Sequence, residues 1–208
     1  AFLTGNGGLP AYDGRHLAER GAVYVSIHYR TGTEGFAAFE GAATNRGLRD
    51  QIAALTWVQE NIAVFGGDPG RVMVHGESAG GMSIALLLAS PAADGLFHRA
   101  IIQSGSSPMA EGPERAADRA RRIAEALGLA PTAEALSAVD QRTLLDTALP
   151  ALAEHHDDQW GTLALGPWID DDIVPVDLDA AMLDRPVRGT VWGTNRDEGN
   201  LFLITPDS

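Results

Sequence analysis

The run Gly76-Glu77-Ser78-Ala79-Gly80-Gly81 constrains this chain more than any other stretch. It is a Gly-x-Ser-x-Gly pattern between a strand-like segment, Arg71-Val72-Met73-Val74-His75, and an apolar helical run, Met82-Ser83-Ile84-Ala85-Leu86-Leu87-Leu88. With 24 glycines in 208 residues, chance alone gives roughly 0.1 such matches, and requiring the strand and the helix makes a match rarer still. A serine at such a point sits on a sharp turn from strand into helix. Its hydroxyl then projects from the C-terminal edge of a sheet, and the flanking glycines let backbone segments approach where a Cβ would collide. The pattern makes Ser78 a candidate nucleophile. The competing reading is a glycine-rich turn with a solvent-facing serine.

The rest of the chain alternates strand-like and helix-like segments, which predicts an α/β fold with a mainly parallel sheet. Residues 23–29 are β-branched and apolar and predict a buried strand. Leu48, Ile52, Leu55, Val58 or Gln59, and Ile62 recur at helical spacing, with Asn45 placed to cap a helix that reaches about residue 64. Asp68-Pro69-Gly70 is a turn. Strands are predicted at 72–75, 100–103 and 187–192, and helices at 78–89 and 114–128, the last closed by Gly128. Between 131 and 165 the pattern loosens into short helices with Pro150 as a breaker. A length of 208 residues and 45% hydrophobic content suit one domain with a buried core. No repeat or linker interrupts it.

Charge and composition narrow the partners. The net charge of −13 argues against nucleic acid, which recruits clustered Lys and Arg. Arg115, Arg119, Arg121 and Arg122 alternate with Glu114, Asp118 and Glu125, which predicts a solvated face of mixed sign. No apolar run approaches the roughly 18 residues that a membrane span requires. The first residues lack the pattern of a signal peptide. The absence of cysteine excludes disulfides and a thiol nucleophile, and leaves cytoplasmic and secreted locations both open.

Residues 65–80, Phe65-Gly66-Gly67-Asp68-Pro69-Gly70-Arg71-Val72-Met73-Val74-His75-Gly76-Glu77-Ser78-Ala79-Gly80, resemble the active-serine signature of the type-B carboxylesterase/cholinesterase family. Tyr24-Val25-Ser26-Ile27-His28-Tyr29-Arg30 resembles that family's strand ending in Asn-Tyr-Arg, with His28 in place of the Asn. Asn45-Arg46-Gly47-Leu48-Arg49-Asp50-Gln51 is similar to its Asn-x-Gly-Leu-x-Asp-Gln helix start, and Gly193-Thr194-Asn195-Arg196-Asp197-Glu198-Gly199 to its acid-bearing loop. The resemblance implies a partial α/β-hydrolase domain over 1–208, with a mainly parallel sheet, helices on both faces and 131–165 as a helical, cap-like insertion over the active site. It implies a serine carboxylic-ester hydrolase working through an acyl-enzyme, with a small ester as substrate and no cofactor or metal. A catalytically inert cholinesterase-like binding module is the alternative. Amide, carbamate or thioester cleavage on the same elbow is a further one, to be decided by pocket residues such as Trp160, Trp168 or Phe202.

A serine hydroxyl is a weak nucleophile and needs a base, an acid that orients the base, and donors for the oxyanion. The amide of Ala79, the residue after the serine, is the expected first donor. Ala1-Phe2 resembles the end of the family's His-Gly-Gly-Ala-Phe turn, so the resemblance implies Ala1 as another. Gly5-Asn6-Gly7-Gly8 matches no phosphate-binding fingerprint and reads as a surface turn. The acid belongs just beyond a late strand. Glu198 and Asp197 both fit by chemistry, and the resemblance selects Glu198. Asp170-Asp171-Asp172 reads as an acidic turn.

The base is the gap. The chain order of this fold is serine, acid, histidine, yet none of residues 199–208 is a histidine. His75 and His28 read as structural strand residues, and His16 and His98 fall in ordinary helix or loop contexts. In His155-His156-Asp157-Asp158 adjacent side chains diverge, which predicts a solvated loop, not a metal site. The expectation is a fragment: the strand before the oxyanion turn, the strand after the acid loop and the histidine belong to a longer polypeptide. The 208 residues alone are then expected to fold poorly and to be inactive.

Overall fold

Three strands, β1 (Met73–Glu77), β2 (Arg99–Gln103) and β3 (Thr190–Gly193), lie side by side in that order and run parallel. The computed structural model describes residues 2–105, 110–153, 165–184 and 189–198. Among these the helices are α1 (Arg15–Ala18), α2 (Gly32–Phe36), α3 (Arg46–Asn61), α4 (Ala79–Ala89), α5 (Pro113–Ala126), α6 (Ala133–Leu136), α7 (Gln141–Ala153) and α8 (Leu178–Asp184). Glu77 lies opposite Gln103 and Gln103 opposite Gly193, so the C-terminal ends of the strands finish level. The ladder runs one step further, with Ser78 N–H donating to Gln103 O at 2.9 Å and Ser104 N–H to Gly193 O at 2.8 Å.

Helix α4 explains the long apolar run after the serine. One of its sides packs Ile84, Leu87 and Leu88 against Ala100 and Ile102 of β2 and Leu55 of α3. Another packs Ala79 and Leu86 with Phe2, Phe36, Leu48, Ile173 and Val174. A helix apolar all round is a buried helix, and each such Leu or Ile contributes roughly 1.5–3 kcal/mol of burial. A separate cluster joins Ala120 and Ile123 of α5 to Leu136 of α6, Leu144 and Ala148 of α7, and Leu165. No described helix is long and apolar enough to cross a membrane.

Several expectations are corrected. Residues 23–29 form no strand; Val23 and Val25 are exposed, and no described strand pairs with them. β-branched composition suits a pleated surface, but a strand exists only where a neighbour completes the ladder. Asn45 precedes α3 without capping it, and its side chain reaches a distant segment instead. Pro150 does not break α7, which continues to Ala153. Its missing N–H leaves the carbonyl of Asp146 without its helical partner, and the helix continues for less than one further turn. Arg119 is not on the solvated face of α5: its side chain is only 15% exposed and lies 3.4 Å from Glu111. The strand predicted at 187–192 is β3, which starts at Thr190; residues 185–188 are outside the described set.

Candidate active site

Ser78 follows directly on β1, with φ 53 and ψ −117, a combination that non-glycine residues avoid. Its N–H is tied to Gln103 O, and its carbonyl accepts the N–H of Met82 at 2.9 Å, the first bond of α4. Two close backbone approaches hold this turn. A Cβ on Gly76 would fall 2.5 Å from the carbonyl carbon of Gly80, and one on Gly105 would fall 2.5 Å from that of Gly81. Gly81 meets the same limit from its own side, 3.0 Å from Gln103 O and Gly105 Cα. Gly80 has nothing within 4 Å of an added Cβ. The pattern exposed Gly76 and Gly80, whereas Gly105 was missed because its partner is a tertiary one. A glycine two residues past the predicted strand 100–103 is the signal the sequence offers for it.

Ala79 is the first residue of α4 and is buried, at 7% exposed. Amides in the first turn of a helix have no intrahelical acceptor, and the helix dipole favours negative charge there. The other implied donor, Ala1, lies outside the described residues. Its neighbour Phe2 is 1% exposed. The Phe2 carbonyl accepts the Gly32 N–H at 2.7 Å, and its ring meets that of Phe36 edge-on at 5.0 Å.

Glu198 and Asp197 occupy the turn that follows β3, at the same sheet edge as Ser78. Glu198 is half-buried and Asp197 exposed. With β2 between them, β1 and β3 are two strand spacings apart, about 10 Å.

The described histidines are elsewhere. His75 is exposed on β1, its ring 6.0 Å from that of Tyr24. His98 Nδ1 accepts the Val72 N–H at 3.3 Å, and His16 lies 3.2 Å from Glu19 on the surface. His28 borders an open cavity of about 360 Å³ with Arg30, Glu34, Asp50 and Gln141, away from the elbow. His155, His156, Asp157, Asp158, Trp160 and Phe202 fall outside the described residues. Among those described, no three His, Asp or Glu side chains could share a metal ion. The Gly5-Asn6-Gly7-Gly8 segment is a surface turn, with Gly8 N–H donating to Asn6 Oδ1 at 2.8 Å and Ser26 Oγ donating to Gly7 O at 2.8 Å.

Asp170 is more than part of an acidic turn. Its Oδ1 accepts the N–H groups of Asp172, Ile173 and Val174 at 3.2, 2.9 and 2.7 Å, and its Oδ2 accepts Asn45 Nδ2 at 2.9 Å. Burial on its own raises the carboxyl pKa; bonds from Thr44, Val174, Asn45 and Asp172 outweigh it and hold the group below the ordinary carboxylate range.

Comparison with known proteins gives a consistent set. The model of the carboxylesterase family matches residues 1–207. The chain is 43% identical over 216 residues to the para-nitrobenzyl esterase of Bacillus subtilis (strain 168), covering 100% of this chain and 44% of that protein. It is 39% identical over 219 residues to a cholinesterase of Mus musculus, covering 98% of this chain and 36% of that protein. A solved thermophilic PNB esterase superposes with a TM-score of 0.89 at 41% identity, over 100% of this chain and 44% of that one. The chain therefore spans under half the length of these relatives, and its fold is that of an α/β-hydrolase with a parallel sheet.

Proposed function

We propose, because the chain belongs to the carboxylesterase family, that it carries the nucleophile, acid and oxyanion-binding part of a serine carboxylic-ester hydrolase. The observation that carries this reading is the strained turn at Ser78, at φ 53, locked by the Gly76–Gly80 and Gly81–Gly105 approaches. A turn of that strain is retained where the side chain it presents has work to do. The name of the Bacillus relative, a para-nitrobenzyl esterase, supports an ester as substrate.

In this reading Ser78 Oγ attacks the ester carbonyl while a histidine supplied from outside these residues takes its proton. The carbonyl oxygen becomes an oxyanion held by the amides of Ala79 and Ala1, each worth about 3 kcal/mol of barrier. Collapse breaks the bond to the alkoxy group, which leaves as alcohol with the proton from the imidazolium. Water then attacks the acyl-enzyme by the same route, and the acid departs with Ser78 restored. Glu198 holds the imidazole in the tautomer that can accept the serine proton. The stretch 131–165 is read as the cap-like insertion over the site; among its described residues, Leu165 packs with α6 and α7.

The test is turnover of a p-nitrophenyl ester by the polypeptide in which these residues occur. Ser78→Ala is expected to lower kcat roughly a million-fold and to abolish labelling by a fluorophosphonate. Labelling that survives the substitution would place the nucleophile elsewhere. The isolated 208 residues, without the base, are expected to show the same loss of turnover.

A further inference from the structure

Asn45 is 1% exposed and sits in the left-handed region, at φ 45 and ψ 45. A residue before a helix ordinarily turns its side chain back to accept an N–H of the first turn. Asn45 makes no such bond. Its bonds go instead to a segment more than a hundred residues later: Nδ2 donates to Trp168 O at 2.7 Å and to Asp170 Oδ2 at 2.9 Å, and Oδ1 accepts the Trp168 N–H at 3.0 Å. The amide thus uses both of its donor hydrogens and its oxygen on one loop.

That loop leads to the elbow. Asp170, held by Asn45, gathers the N–H groups of Ile173 and Val174. Those side chains are 3% and 0% exposed and share one apolar cluster with Ala79 and Phe2. From the other end of the same segment, Gly166 lies against the Phe2 ring, which a Cβ would approach to 3.4 Å. Ala79 follows the serine, and Phe2 follows Ala1. The two peptide units assigned to the oxyanion are therefore both next to residues that rest on the segment Asn45 ties down.

We infer that Asn45 is a positioning residue for the oxyanion hole, acting through Asp170, Ile173 and Val174; this rests on reading Ser78 as an esterase nucleophile. Apolar packing alone holds Ile173 and Val174 in the core but tolerates sliding. Hydrogen bonds in a low-dielectric interior are directional and fix the loop in one register. Donors to an oxyanion act by pre-set geometry, and a displacement of about 1 Å costs on the order of a hundred-fold in rate. Asn45 touches neither serine nor substrate, so its removal is expected to alter the transition state more than substrate binding.

The experiment uses the polypeptide in which these residues occur. Asn45→Asp keeps the size and the acceptor but sets a carboxylate against Asp170. Asn45→Gly keeps the left-handed backbone and deletes the amide. Asp170→Asn keeps the acceptor for the loop N–H groups but meets Asn45 with a second amide. Each is assayed with a p-nitrophenyl ester below its own unfolding temperature. The expected result is a roughly 10- to 100-fold fall in kcat with KM nearly unchanged. A trifluoromethyl ketone, whose adduct with Ser78 carries the same oxyanion, is expected to bind more weakly by a similar factor. Variants that unfold earlier yet keep kcat and ketone affinity would make Asn45 a residue of the fold alone and overturn the inference. Failure of all three to fold would do the same. A wild-type protein that neither turns over esters nor reacts with a fluorophosphonate would instead remove the esterase reading itself.

Discussion

Glycine is required at some positions of the elbow and not at others. Ser78 stores backbone strain of about 1–3 kcal/mol, and the surrounding backbone must over-determine the turn to keep it. A methyl group on Gly76 has nowhere to go, since it would meet the carbon of Gly80 at 2.5 Å and its oxygen at 2.7 Å. On Gly80 it meets open space, in the first turn of a helix, where alanine is favoured over glycine by no more than about 1 kcal/mol. Gly76→Ala is therefore expected to destabilise the fold by about 1–3 kcal/mol, whereas Gly80→Ala leaves it unchanged or more stable. Denaturation midpoints of the two variants decide this, and equal losses would refute the steric account. At this scale the sequence was legible where the constraint is local. Gly76, Ser78 and Ala79 lie within one short pattern, whereas Gly105, just past β2, takes its role from Gly81 of α4.

Elements were legible where they carry their own partners. Helices α4 and α5 announce themselves by apolar runs and spacing. Residues 23–29 have the composition of a strand but depend on a neighbour for their ladder, and composition does not supply one. What anchors the end of this stretch is a side chain. Arg30 donates its Nε and Nη2 to Asp50 of α3 at 2.8 and 2.6 Å, and its N–H to the same carboxylate at 2.9 Å. The bond from Asp50 raises the Arg30 pKa. For Asp50, burial pushes the pKa up, but the bonds and charge of Arg30, with the charge of Arg46, outweigh it and leave it below the ordinary value. A carboxylate depressed in the folded state stabilises fully above its unfolded pKa of about 3.9, and that contribution disappears as pH falls through the folded value. Asp170 is shifted in the same direction. Stability is thus expected to decline as pH drops below about 4, and Asp50→Asn to flatten that decline. Because Arg30 is 49% exposed, the cost of Asp50→Asn at neutral pH is about 1 kcal/mol at most. Urea midpoints of both proteins between acid and neutral pH measure it; parallel curves would show that Asp50 is not the titrating group.

On the scale of the whole molecule, the order β1-β2-β3 and the level ends of the strands decide what the late loop can do. The serine turn and the acid-bearing loop leave the same edge with one strand between them, their strands about 10 Å apart. In the proposed reading the acid works by orienting a base, and its loss should act through that base. In such triads an amide in place of the carboxylate leaves the geometry but selects the wrong imidazole tautomer, at a cost of about ten-thousand-fold in kcat. Of the adjacent candidates, Glu198 is half-buried and Asp197 is exposed to solvent. The prediction is asymmetric: Glu198→Gln lowers kcat by about four orders of magnitude, while Asp197→Asn changes it by no more than about two-fold. The chemistry of the loop does not distinguish the two residues, since each is a carboxylate just past β3. Turnover of a p-nitrophenyl ester by the two variants separates them, and a large loss in Asp197→Asn with Glu198→Gln active would exchange their roles.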